Sequence, residues 1–192
     1  LAVDPEILLL DEPLGALDLA LRRQMQEELH HIQRQMNRTF VHVTHDQEEA
    51  MALADTVVVM NNGRIEDMGV PSRVYMRPAT RFTATFMGES TQVEGRILAR
   101  TGDMLTLVTE MGEITGVAAP APGAAGATPQ SATLLGAGDR AVAIIRPENI
   151  VTAPAQGAQC LGEVLVSETV FQGNYVRVLG RAACGQELVL YT

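Results

Sequence analysis

The sequence has 192 residues, 46% of them hydrophobic, and a formal net charge of −9. That length suits one large domain or two small ones, each with a core. The acidic balance excludes a general nucleic-acid surface, which needs clustered Lys and Arg, and no apolar run reaches the ~20 residues required to cross a bilayer.

The opening Leu1-Ala2-Val3-Asp4-Pro5 reads as the tail of a helix broken by Asp4-Pro5, because a residue before proline is pushed out of helical geometry. A start of this kind, without Met, is expected of a fragment. Residues 7–10, ILLL, form an unbroken aliphatic run, the pattern of a strand buried on both faces, as in parallel α/β sheets. Pro13 has no N–H to continue a ladder, so the strand stops there. Asp11 and Glu12 then stand at its carboxyl end, where open α/β sheets bind ligands. An acid pair at a strand end is by itself weak support, since most such ends are solvated turns. The second polar cluster further on, Thr44-His45-Asp46, is what gives it weight.

Asp18 is a suitable N-cap for the next helix, in which Leu21, Met25, Leu29, Ile32 and Met36 recur at three- and four-residue intervals. That spacing makes one apolar stripe and predicts an amphipathic helix lying on the sheet. His30 and His31 are adjacent and point in different directions, so they are poor co-ligands. Residues 39–43 read as the next strand, and a strand–helix–strand unit is parallel and right-handed. Both strands then end on one sheet edge, where Asp11, Glu12 and His45 can converge; His42, within the strand, reads as structural. A short helix capped by Asp46 over 46–53, a strand over 56–60, an Asn61-Asn62-Gly63 hairpin turn and a returning strand over 64–68 follow. Short helices over 71–76 and 80–87 complete the first part.

After Gly88 the helical pattern gives way to short strands at 92–99, 104–109, 113–117, 141–145, 162–170, 175–179 and 187–190. A loose Ala/Gly/Pro-rich loop occupies 118–138. Short strands with glycine turns suggest a small OB-like barrel, and the boundary lies near 89–91. Cys160 and Cys184 lack any CxxC or histidine partner and are expected as buried or half-buried free thiols, as in a reducing cytosol.

Ile7 to Pro13, then Leu14-Gly15-Ala16-Leu17-Asp18, then Val43-Thr44-His45-Asp46 with Gln47, Glu48, Ala50 and Asp55, and the hairpin Asn62-Gly63-Arg64-Ile65 together resemble the back half of an ABC-transporter ATPase subunit. The resemblance covers about the first 90 residues in the family's order and spacing. It implies the C-terminal part of a P-loop NTPase domain over 1–89, working on ATP with Mg²⁺. Asp11 matches the Walker B aspartate that holds Mg²⁺, a fitting ligand for a small hard cation. Glu12 matches the glutamate that polarises the attacking water, His45 the switch histidine at the γ-phosphate, and Asp18 the D-loop aspartate at the interface between two ATPase subunits. Phosphoryl transfer rests on such positioning and charge stabilisation.

The phosphate-cradling GxxxxGK[ST] loop, the glutamine loop and the LSGGQ-like signature are not in this sequence, so hydrolysis by residues 1–192 alone is not expected, and the sheet would expose apolar edges. Phe86-Met87-Gly88-Glu89-Ser90, Val93-Glu94-Gly95 and Ile145-Arg146-Pro147-Glu148-Asn149-Ile150 resemble the accessory TOBE or MOP-like β domain of importer ATPases, here 90–192. The Phe86 to Ser90 stretch and Val170-Phe171-Gln172-Gly173 lean the resemblance toward the polyamine type over sugar importers. The family implies a homodimer of ATPase subunits, transmembrane permease subunits, a solute-binding protein reached through them, and a place on the cytoplasmic face of the membrane, with no nucleic-acid partner. The alternatives are a DNA-repair or chromosome-organising ATPase, disfavoured by a β domain where a coiled coil belongs, and a non-catalytic truncated chain whose β domain is a regulatory or oxyanion-binding module.

Overall fold

Apolar periodicity sets the element order. A computed structural model describes residues 5–15, 17–119, 136–153 and 155–192. The helix tail expected at 1–3 and nearly all of the loop expected at 118–138 lie outside them. The chain is mixed α/β. Strand β1 (Ile7–Asp11) is followed by helix α1 (Leu19–Met36), strand β2 (Thr39–Val43), helix α2 (Gln47–Leu53), strands β3 (Val57–Asn61) and β4 (Arg64–Gly69), and helices α3 (Pro71–Met76) and α4 (Arg81–Phe86). Then come β5 (Thr91–Thr101), β6 (Met104–Thr109), β7 (Gly112–Val117), β8 (Arg140–Ile145), a 3-10 turn (Pro147–Asn149), β9 (Val164–Phe171), β10 (Val176–Ala182) and β11 (Glu187–Tyr191).

β1 and β2 pair in parallel, with Ile7 opposite Thr39 and Asp11 opposite Val43, as the β–α–β pattern requires. α1 starts at Asp18, whose side chain accepts from the Leu21 N–H at 2.9 Å. It ends at Asn37, which takes the left-handed conformation at φ 48° that few side chains besides Asn adopt readily. β3 and β4 form an antiparallel hairpin turned by Asn62 and Gly63 at φ 48° and 75°, the positive pair a tight two-residue turn needs.

The remaining strands make two antiparallel sheets, four-stranded in the order β7-β6-β5-β8 and three-stranded in the order β11-β10-β9. Gly95 in β5 is required by close approach: a Cβ there would lie 2.7 Å from the Val108 carbonyl oxygen across the ladder. One buried cluster joins Val57, Val59, Val74 and Met87; another joins Ile97, Leu105 and Leu107.

Three expectations are corrected. β1 is not buried on both faces, since Ile7 and Leu9 are 62% and 66% exposed. Among the described residues β1 pairs only with β2, so no second layer covers that face. α1 carries its apolar stripe but buries none of it fully; Met25, Leu29 and Met36 are half-buried while Leu21 and Ile32 are exposed. The two cysteines are exposed, because both sit in irregular connections that run over the surface.

Candidate functional site

The parallel register delivers β1 and β2 to the same edge. The Glu12 N–H donates to the Val43 carbonyl at 2.8 Å, extending the ladder by one residue before Pro13 ends it. Glu12 then turns sharply at φ 45°, in the left-handed region that a non-glycine residue enters at a cost of about 1–3 kcal/mol. The Gly15 N–H closes this turn on the Glu12 carbonyl at 3.3 Å, and Leu14 beside it is buried.

Opposite, β2 ends and Thr44-His45-Asp46 leads into α2. Glu12 Oε1 and His45 Nδ1 meet at 3.0 Å, so the carboxylate accepts and Nδ1 carries the proton. The two side chains are 52% and 75% exposed. Even with both groups charged, a contact this open would contribute roughly 0–1 kcal/mol to stability, less than the strain at Glu12 costs. Stability is therefore no reason to build it, whereas strained backbone concentrates at working sites.

Asp11 is the last residue of β1 and is exposed at this edge, where its oxygens suit a hard cation. Asp18 is exposed too, and one of its oxygens caps α1. Thus Glu12 and His45 are in direct contact; Asp11 precedes Glu12 in the chain, and Asp18 serves the helix that follows. His42 is half-buried, its Nε2 2.8 Å from Oε1 of the buried Glu49, consistent with a structural place. That pair has the distance of an ion pair without hydrogen-bond geometry.

Sequence reading missed Glu49 altogether, since an acid in the first turn of a helix ordinarily faces water. Arg146 entered it only as one member of the 145–150 motif. Arg146 is 5% exposed and donates to four carbonyls: Ala84 at 2.9 Å, Gly88 at 3.2 Å, Glu89 at 3.1 Å and Tyr75 at 3.0 Å. Its guanidinium lies 4.3 Å from the Tyr75 ring centroid, and burial lowers its pKa. The Tyr75 hydroxyl donates to Glu148 at 2.7 Å; burial first, then that carboxylate, raises its pKa. Beside this hub Glu89 accepts from Arg177 Nε at 2.9 Å and from the Tyr191 hydroxyl at 2.9 Å. The bond from Arg177 holds the Glu89 carboxyl below the usual range, while burial and Glu89 push the Tyr191 hydroxyl up. Motifs at 75–89, 145–150 and 177–191 thereby meet through side chains whose partners lie 57 or more residues away.

No family model matches the chain. Curated relatives do: the spermidine/putrescine import ATP-binding protein PotA of Oleidesulfovibrio alaskensis is 41% identical over 182 residues, 93% of this chain and 45% of that protein. The protein of that name from Rubrobacter xylanophilus is 38% identical over 97% of this chain and 46% of its own length. Nitratidesulfovibrio vulgaris has one at 39% over 97% and 48%. The chain belongs to the ABC-transporter ATP-binding family. It spans about half the length of the curated relatives it matches. No helix among the described residues is long and apolar enough to cross a membrane.

Proposed function

We propose that this chain is the Walker B, D-loop and switch-histidine part, with the accessory β domain, of an ATPase subunit that drives an ABC importer. The observation that carries this reading is the contact between Glu12 and His45 at the carboxyl ends of two adjacent parallel strands. The site's donor chemistry fits MgATP: Asp11 offers carboxylate oxygens to Mg²⁺, and Glu12 and His45 are open to solvent beside it. When bound, Mg²⁺ supplies charge neutralisation on the phosphates.

In this reading Glu12 would orient and polarise the attacking water, and His45, held at Nδ1 by Glu12, would stand at the γ-phosphate. Asp18 both caps α1 and faces a second ATPase subunit. Such placement supplies most of the catalysis in phosphoryl transfer. The proposed division is 1–89 for the ATPase part and 90–192 for a TOBE/MOP-like, OB-type domain; its seven antiparallel strands in two sheets support an all-β second part. The names of the relatives support polyamines as the cargo, with permease subunits, a solute-binding protein and the cytoplasmic membrane face as the setting.

Glu12→Gln in the intact subunit is expected to keep ATP binding and to lower turnover about 10²–10⁴-fold. Turnover at the wild-type rate would overturn the assignment. Competition of spermidine against a sugar for uptake in cells carrying the transporter tests the cargo, and uptake of sugar alone would reject polyamines. The second reading, a non-catalytic module, draws on the missing phosphate loop. Oxyanion binding by its β domain gains nothing from the 280 Å³ cleft there, whose wall includes Glu94 and Glu110 and no basic side chain.

A further inference from the structure

His45 has a ring that is 75% exposed, so its place is set by its backbone and its neighbours. Both neighbours are pinned. The Thr44 hydroxyl donates to Glu49 Oε2 at 2.8 Å and accepts from the Asp46 N–H at 3.0 Å. Asp46 Oδ1 accepts from the Glu49 N–H at 3.1 Å, and its Oδ2 accepts from Arg22 Nη1 at 2.7 Å. Arg22 reaches with its other terminal nitrogen to the Leu17 carbonyl at 3.3 Å, next to Asp18.

From this geometry we infer that Arg22 and Glu49 are positioning residues that join the 17–18 and 44–46 loops into one unit and hold His45 against Glu12. The inference rests on the ATPase reading above and adds two residues to it. A carboxylate that is 2% exposed, like Glu49, is costly to bury unless its oxygens are held. Here Oε2 accepts from the hydroxyl of the residue before His45, and Oε1 lies 2.8 Å, without a hydrogen bond, from His42 Nε2 in the strand that leads there. Arg22 bridges two acceptors in different loops with one planar fork, which a lysine cannot do. A shift in the loop ahead of α1 is thereby passed through Arg22 to Asp46, the residue following His45.

The test is a double-mutant cycle on the intact subunit. Arg22→Met and Glu49→Gln are each expected to lower kcat about 10–100-fold, as loss of a supporting partner does, with KM for ATP changed less than about 2-fold. In a His45→Ala background each is expected to add less than about 3-fold, because residues acting through one group are not additive. Arg22→Lys should recover little. Fully additive losses, or a raised KM with unchanged kcat, would overturn the inference. If Glu49→Gln fails to fold, Thr44→Val and Arg22→Met carry the same cycle. A wild-type subunit that binds but never hydrolyses ATP would bring down the ATPase reading itself, whereas wild-type turnover with additive losses rejects only the coupling.

Discussion

The β1–β2 pair is more apolar in sequence than the β5–β6 ladder, yet it is the less covered of the two. Ile7, Leu9, Val41 and Val43 are 44–66% exposed, while Val93, Ile97 and Leu107 are 5% exposed or less. An apolar strand therefore records what a face is built to touch. Burial follows only where other side chains pack on the strand, and in β5 and β6 Ile97, Leu105 and Leu107 cluster with Ala118, Ala141 and Ala143 against them.

That contrast can be broken or sharpened by substitution. Arg146→Met should have the largest effect on stability, about 3 kcal/mol or more in denaturant unfolding, because four buried or half-buried carbonyls lose their donor; a loss under about 1 kcal/mol would mean water replaces it. Leu107→Ala should cost about 2–5 kcal/mol. Leu9→Ala in residues 1–192 should stay within about 0.5 kcal/mol, yet approach the core value in the intact subunit. Equal costs in both would show that the face stays bare. Gly95→Ala should cost about 1–3 kcal/mol, as its methyl meets a backbone carbonyl. Glu12→Gly should raise stability by about 1 kcal/mol, through relief of the left-handed backbone, while abolishing turnover.

The smallest effect concerns pH. Because the folded pKa of Glu89 is depressed by Arg177, its stabilising contribution is complete above the ordinary carboxylate value of about 4.3. It is lost as pH falls through the lower folded value. Stability of Glu89→Gln should depend less steeply on pH in that range, and an unchanged slope would discount the pair.

Local structure was legible because period and punctuation act over a few residues. The strand at 39–43, the hairpin at Asn62-Gly63, the cap at Asp18 and the helix over 71–76 stand where they were expected. The meeting of Glu12 and His45 was legible too, since parallel pairing forces one edge. Burial of β1 was not, because an aliphatic run specifies a preference for cover and cannot say whether the cover is present. Arg146 and Glu49 were illegible for a different reason. Their partners are mostly backbone carbonyls and a threonine hydroxyl, groups every sequence contains, so only three-dimensional proximity singles them out.

Arg146 also imposes a schedule on the growing chain. The carbonyls of Glu89, Gly88, Ala84 and Tyr75 precede it by 57, 58, 62 and 71 residues. At about 5–20 residues per second of synthesis, they must wait on water for roughly 3–14 s before their shared donor is made. During that interval α3 and α4 are held by the preceding hairpin, through the Val57, Val59, Val74 and Met87 cluster and the Arg73–Asp67 pair, while the bend into β5 is unlocked. A ribosome paused between codons 90 and 146 would thus hold a nascent chain whose junction is still free to misalign.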